Sequence, residues 1–270
     1  CVADLWDKDT WLLWMEDLHE RIARLDDPRI IVPTGNYALY ALTGKGKVPW
    51  HSKDGKSSRP GILAWRGSIL SYRDRRGRIL KVLPTPHPAA TFPGRDPGLE
   101  PICKRDWHRI AVESQSKEVD LPIRTHLISP SMSDLEFLVK ICEAATDTDV
   151  LVMDIENPRE KDGSAPIVCV GFSLTSDLSV TIPTVKSYWG KQLDAVWETI
   201  RYLCSLPVHK GAWNNFHEQY WMWAEREIVI ENLWWDGLYM HHVLDPSAPH
   251  SLAFCASVDT REPYWKDEAK

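Results

Sequence analysis

Among the 270 residues there is no C-x-x-C pair, no apolar run of membrane-spanning length and no excess of positive charge. The first absence argues against a structural zinc site, and the six cysteines lie too far apart to give a disulfide framework. A reducing, intracellular and cytoplasmic setting is the expectation. The second absence removes the membrane: nothing approaches the ~20 apolar residues a bilayer requires, and no stretch reads as a signal peptide. The third, a formal net charge of −6, excludes a globally basic nucleic-acid binder. An enzyme that recruits metal ions through local carboxylates stays open, because a small basic patch can grip a phosphate backbone. Arg73-Asp74-Arg75-Arg76-Gly77-Arg78 is either such a patch or a solvated hairpin tip.

The remaining composition, 43% hydrophobic and 26% charged, is that of an ordinary soluble globular chain. Its length allows one large domain or two medium ones. Residue 1 is Cys, and Tyr264–Lys270 has no terminal character, so a piece of something longer is expected.

The most informative feature is Asp154-Ile155-Glu156, which closes the apolar run Val150–Met153. That run predicts a buried strand. Residues i and i+2 on a strand share a face, so Asp154 and Glu156 project together. Paired carboxylates are hard oxygen ligands suited to Mg²⁺ or Mn²⁺. Two such ions ~4 Å apart can activate water and hold the leaving oxygen in phosphodiester cleavage. The plainer alternative is that acidic residues end strands because loops are solvated.

The first half reads as helix, strand, turn, helix. Trp11, Trp14, Met15, Leu18, Ile22 and Leu25 have helical spacing with one buried face. Arg29–Val32 predicts a short buried strand, Pro33–Asn36 a turn, and Tyr37–Leu42 a helix stopped near Gly44. This order suggests an α/β domain with a parallel sheet. Gly61–Leu83 reads as two extended runs around Asp74–Gly77, most simply a hairpin. His87 follows in a stiff proline-flanked loop, Pro84–Pro88, where it is either functional or an incidental surface residue.

Polar breaks at Glu113–Glu118 and Ile128–Ser131 place a linker over 113–131, between domains 1–112 and 132–270. Ser133–Glu136 predicts a helix start with Leu138, Ile141 and Cys142 buried. Strands are expected over Asp149–Met153, Ile167–Leu174, Ser179–Pro183 and Pro207–Trp213. Helices are expected over Lys191–Leu203, Phe216–Glu227 and Asp236–Leu244, with a strand-like run over Ile228–Trp234. A three-strand meander followed by alternating helix and strand suits an RNase H-like sheet. At the junction of strand four and its helix stands Trp213-Asn214-Asn215-Phe216-His217-Glu218. Asn214 bonding the turn, with Glu218 four residues on, can add a ligand to the Asp154/Glu156 pair. The alternative is an N-cap Asn and a solvated Glu favoured by the helix dipole. Of fourteen tryptophans, Trp213, Trp221, Trp223, Trp234 and Trp235 cluster here. They are either a base-stacking platform or, as the favoured reading, core packing against the sheet.

Two family resemblances follow. Asp26–Gly35 with Ala38-Leu39 and Leu42-Thr43-Gly44, Trp65-Arg66-Gly67-Ser68 and His87-Pro88-Ala89-Ala90 resemble the latter part of a uracil-DNA glycosylase-like domain. The resemblance implies that His87 stabilises negative charge on a departing uracil from a flipped nucleotide. The family's water-positioning first motif would lie before Cys1, so the domain is partial. Its cysteine set is missing, so no iron–sulfur cluster is expected.

The second half resembles the proofreading-type 3′–5′ exonucleases, with Asp154 and Glu156 as first motif and Asn214 and Glu218 as second. Glu replaces the family's usual Asp in the second motif. His217 is the competing position if the register slips by one. Trp235–His242, Leu244-Asp245-Pro246, Ser251-Leu252 and Glu262–Asp267 resemble the exonuclease domain of family A DNA polymerases, especially phage-type ones. This implies a two-metal Mg²⁺ or Mn²⁺ site on Asp154, Glu156 and Glu218, and a structural role for Asp236. It also implies a single-stranded DNA 3′ end as substrate, a polymerase domain downstream, and the interior of a bacterial or phage-infected cell. The family's third motif, Tyr-x-x-x-Asp, is expected beyond Lys270, so the domain is truncated at its C-terminal end. The reading is thus an α/β chain of two domains: a partial glycosylase-like parallel-sheet domain and an RNase H-like mixed-sheet exonuclease domain. Base excision at His87 and a non-catalytic nucleic-acid-binding module are its alternatives.

Overall fold

The computed structural model describes residues 8–48, 59–159 and 164–265. Cys1, and Lys266-Asp267 of the expected downstream motif, lie outside the described residues. The chain divides into two compact units, residues 1–122 with 253–270, and residues 123–252. Residues 253–265 therefore belong with the first unit, while the sequence reading carries its second domain on to 270.

The first unit opens with α1 (Lys8–Arg24) and α2 (Asn36–Thr43). Trp11 and Ile22 are buried and Leu18 packs beside them, but Trp14 and Leu25 are exposed. The buried stripe is narrower than expected: Trp14 sits off the line through residues 11, 18 and 22, and Leu25 follows the last helical turn. Gly44, at φ 68°, ends α2 in the left-handed conformation that a side chain disfavours.

α3 (Ile62–Trp65) precedes a hairpin of β1 (Leu70–Arg73) and β2 (Ile79–Val82), paired antiparallel with Leu70 opposite Val82. The segment expected as a strand at Arg29–Val32 makes isolated bridges instead. Ile31 pairs parallel with Val82, and Thr34 with Thr85. The first unit's two-stranded sheet is thus antiparallel, and among the described residues its parallel pairing is confined to those bridges.

The arginine cluster is a bonded hairpin tip. Asp74 accepts from the backbone N–H of Arg76 and Arg78 and from Arg78 Nε at 2.7 Å. Arg78 also donates to the carbonyls of Leu25 and Asp26, Arg73 to that of Gly77, and Arg75 pairs with Glu16.

Glu113, expected to open the linker, is the last residue of α4 (Leu99–Glu113). Its carboxylate accepts from the fully buried Lys81 Nζ at 3.0 Å. A buried ammonium needs such a partner, which is why an acid stands there. A second buried network joins Arg66, Asp106, Thr85 and Ser257.

The second unit contains β3 (Thr125–Leu127), α5 (Met132–Glu143), β4 (Val150–Glu156), β5 (Cys169–Thr175) and β6 (Leu178–Pro183). It continues with α6 (Lys186–Trp189), α7 (Leu193–Ser205), β7 (His209–Ala212), α8 (Asn215–Arg226), β8 (Leu233–Asp236) and α9 (Gly237–Leu244). Helix α10 (Leu252–Asp259) begins at the boundary.

The sheet order is β3-β6-β5-β4-β7-β8. From β6 onward this reads third, second, first, fourth, fifth. β5 is antiparallel to both neighbours, and β4, β7 and β8 are mutually parallel. That is the expected RNase H-like mixed sheet. β3 was not expected; it adds to the edge by pairing parallel with β6. Leu135, Leu138 and Cys142 of α5 and Val196, Ile200 and Leu203 of α7 form one core with Leu151, Met153 and Ile155 of β4. Burial of this kind is worth about 25 cal/mol per Å² of apolar surface. It leaves the alternate residues of β4 on the opposite face, where the carboxylates stand.

Candidate active site

β4 alternates strictly. Leu151, Met153 and Ile155 are buried, whereas Asp154 and Glu156 are exposed on the face they share with Val152. Val152 is itself 49% exposed, so the strand is half-buried rather than buried as expected. Both carboxylates lie within the strand, with backbone positions fixed by the ladder to β5. Asp154 stands opposite Gly171, and Glu156 opposite Cys169. Directly opposed residues share a face, so Gly171 puts no side chain beside the Asp154 carboxylate. Burial, then the charges of Glu156 and Asp154, pushes the Cys169 thiol up. The thiol thus senses a concentrated negative field at this end of β4.

The second constellation sits where β7 hands over to α8. Asn214 adopts a left-handed conformation (φ 76°) and makes no side-chain cap bond to α8. The expected N-cap role therefore falls elsewhere. Asp236, at the end of β8, accepts from the backbone N–H of Asn214 at 3.2 Å and of Asn215 at 2.8 Å. The same carboxylate caps its own helix α9, accepting from Leu238 N at 2.9 Å and Tyr239 N at 3.2 Å. One buried carboxylate thus satisfies donors at two helix N-termini, each a favourable place for negative charge. Its structural role is as expected for α9; its hold on the Asn214-Asn215 turn has no signal in local sequence. Gly237 is required beside it, since a Cβ there would lie 2.5 Å from the Trp213 ring.

Glu218 lies in the first turn of α8 and is 2% exposed, not solvated. Its Oε2 is buried without a hydrogen-bond partner, and its Oε1 lies 3.5 Å from His217 Nδ1. Burial pushes its carboxyl up to about 7, and the charges of Asp154 and Asp236 add to the rise. A carboxylate buried with an unsatisfied oxygen, in the field of two others, is a poor arrangement for an isolated protein. It suits a divalent cation, which would satisfy the oxygen and neutralise the repulsion. The donor set is all hard oxygen, the chemistry of Mg²⁺ or Mn²⁺. The oxygens of Asp154, Glu156 and Glu218 are not gathered within 4.8 Å of one another among the described residues, so binding would draw them together.

His87 stands apart, in the first unit. It is exposed at the start of a short 3₁₀ turn, Pro88–Thr91, and its Nδ1 accepts from Ala89 N at 3.1 Å. It borders a cavity of about 490 Å³ lined also by Ala89, Ala90, Arg95, Asp96 and Leu99. The segments at Gly35 and Gly67 meet the chain just before His87: Gly35 N donates to Thr85 O, and Gly67 N to Pro84 O, both at 3.0 Å.

Of the clustered tryptophans, Trp223, Trp234 and Trp235 are exposed and only Trp221 packs against the core. Core packing was the expectation. It holds for Trp221 and fails for the exposed three, of which Trp234 and Trp235 lie on β8, an edge strand.

No family model and no curated protein matches the chain. Among solved structures, the EXD2 exonuclease domain is 15% identical, with 49% of this chain and 68% of that one covered at a TM-score of 0.35. Further structures of that domain were soaked in Mg and GMP, or in Mn. The Aedes aegypti Nibbler EXO domain is 13% identical, with 53% and 72% covered at a TM-score of 0.37. The catalytic core of RRP6 from Trypanosoma brucei is 16% identical, with 74% and 50% covered at a TM-score of 0.36. These proteins are exonuclease domains that this chain distantly resembles; what it does must be argued from its own residues.

Proposed function

We propose that the second unit is a divalent-metal-dependent 3′–5′ exonuclease acting on single-stranded ends of DNA. The observation that carries this reading is Glu218, buried with an unpartnered Oε2 in the field of Asp154. Asp154, Glu156 and Glu218 would hold the metal. A divalent ion held there would supply Lewis-acid chemistry for phosphodiester hydrolysis. The chain's residues do the rest. β4 fixes two carboxylates on an open face, Gly171 leaves room beside Asp154, and Asp236 locks the turn that sets Glu218. The family resemblance would associate this activity with a DNA polymerase.

The test is trimming of a 3′-labelled single strand by the purified protein in Mg²⁺ or Mn²⁺. Trimming is expected to stop in EDTA and to fall at least 100-fold in Asp154→Ala. Unchanged trimming in that variant sinks the reading, and an inactive wild type moves it to a metal-binding or nucleic-acid-binding module.

A second reading rests on the cavity beside His87 and the convergence of Gly35 and Gly67 on Pro84 and Thr85 just before it. It is base excision needing no metal, with His87 facing the departing base. Free uracil released from a uracil-containing strand in EDTA is its expected signature. Absence of release removes it.

A further inference from the structure

Three histidines of the second unit, unused by the carboxylate site, meet nitrogen to nitrogen. His241 and His242 are consecutive on α9, and His250 folds back from the loop that follows. His241 Nδ1 lies 2.8 Å from His250 Nδ1, and His242 Nδ1 lies 2.9 Å from His250 Nε2. The His250 ring stands nearly perpendicular to both, at 67° and 84°. Its position is fixed from the backbone: Trp213 Nε1 donates to His250 O at 3.2 Å.

A neutral imidazole has one N–H and one lone pair. His250 can therefore donate through only one of its two contacts. At the other it presents a lone pair to a neighbour's Nδ1, and that gap must hold the neighbour's proton or a cation. His241 and His250 are half-buried while His242 is exposed. In the tautomer whose Nε2–H donates to His242, the His250 Nδ1 lone pair points at His241.

We propose that His241 Nδ1 and His250 Nδ1 clamp a borderline divalent ion such as Zn²⁺, with His242 as the outer partner that orients His250. Imidazole nitrogens suit Zn²⁺, Ni²⁺ and Cu²⁺ and not Mg²⁺. At Zn–N distances of about 2.0–2.1 Å, a tetrahedral pair of nitrogens is separated by roughly 3.3 Å. The two rings need open by only about half an ångström to admit the ion. A ligating histidine that donates its other N–H to a fixed acceptor is the usual supporting arrangement of such sites. The ion would tie the 245–250 loop to α9, which is a structural role and independent of phosphodiester chemistry.

The test is thermal unfolding of the untagged full chain with ZnCl₂, with MgCl₂ as control. Zn²⁺ is expected to raise the melting temperature by several degrees at pH 7.5 and Mg²⁺ to leave the histidine-dependent part of the shift absent. The Zn²⁺ shift is expected to vanish in His241→Ala and His250→Gln, and to need about tenfold more metal in His242→Ala. Circular dichroism checks that each variant is folded. No Zn²⁺ shift in the wild type, or an equal shift in folded His241→Ala or His250→Gln, overturns the proposal.

Discussion

At the scale of single residues, the site is defined by a conflict. Glu218 is ordinary in sequence, an acid in the first turn of a helix, where it complements the dipole. In the fold it is buried, and its pKa rises from 4.5 to about 7. Because the folded value lies above the unfolded one, folding disfavours the charged form. The penalty is absent below pH 4.5, grows between 4.5 and 7, and is complete above 7. Glu218→Gln removes the charge and keeps the shape. In EDTA, the variant is expected to be more stable than wild type at pH 8, by on the order of 2 kcal/mol, and equal to it near pH 4.5. Chemical denaturation at the two pH values checks this. Equal stability at pH 8 would mean that Glu218 is better solvated than its burial implies. With Mg²⁺ or Mn²⁺ the order is expected to reverse, because the metal removes the penalty and stabilises the form that binds it.

At the scale of elements, legibility in the sequence followed the range of the interaction. Strand β4, the hairpin and helices α1, α2, α5, α7, α8 and α9 were visible because period and punctuation are local signals. The Asp154/Glu156 face was visible for the same reason: alternation along a strand follows from backbone geometry. What stayed hidden is tertiary. Glu113 reads as linker until the buried Lys81 is placed against it. The three-residue strand β3 forms only because β6 offers an edge. Asp236 reads as the start of α9, and its grip on Asn214 and Asn215, more than twenty residues back, needs β7 and β8 side by side. Burial of Glu218 is hidden likewise, since an acid at the second motif gives no sign of its exposure. A local device can be tested alone. Ser131 and Asp134 form a reciprocal capping box at the start of α5, whose Leu135 and Leu138 anchor the core under β4. Ser131→Ala is expected to cost about 1 kcal/mol, read as a shifted denaturation midpoint with unchanged slope. A larger loss with a changed slope would mean that α5 detaches from the sheet.

At the scale of the whole molecule, charge sets how the second unit can meet a polyanion. The chain carries a net −6, and within the basic cluster at 73–78 Arg75 is paired with Glu16 and Arg78 with Asp74. A nucleic acid approaching the carboxylate face meets repulsion from Asp154 and Glu156 unless a divalent ion is present. Metal should therefore control binding as well as cleavage. The variant that separates the two is Asp154→Asn, which removes one negative charge and preserves the side-chain shape on the open face of β4. In EDTA it is expected to bind a single-stranded oligonucleotide several-fold more tightly than wild type, because one repulsive charge near a phosphate has gone. In Mn²⁺ it is expected to bind more weakly than wild type and to leave the 3′ end untrimmed. Fluorescence anisotropy with and without metal reads both arms. If Asp154→Asn binds like wild type in both conditions, the polyanion does not pass this face, and the carboxylates of β4 would be a solvated strand end.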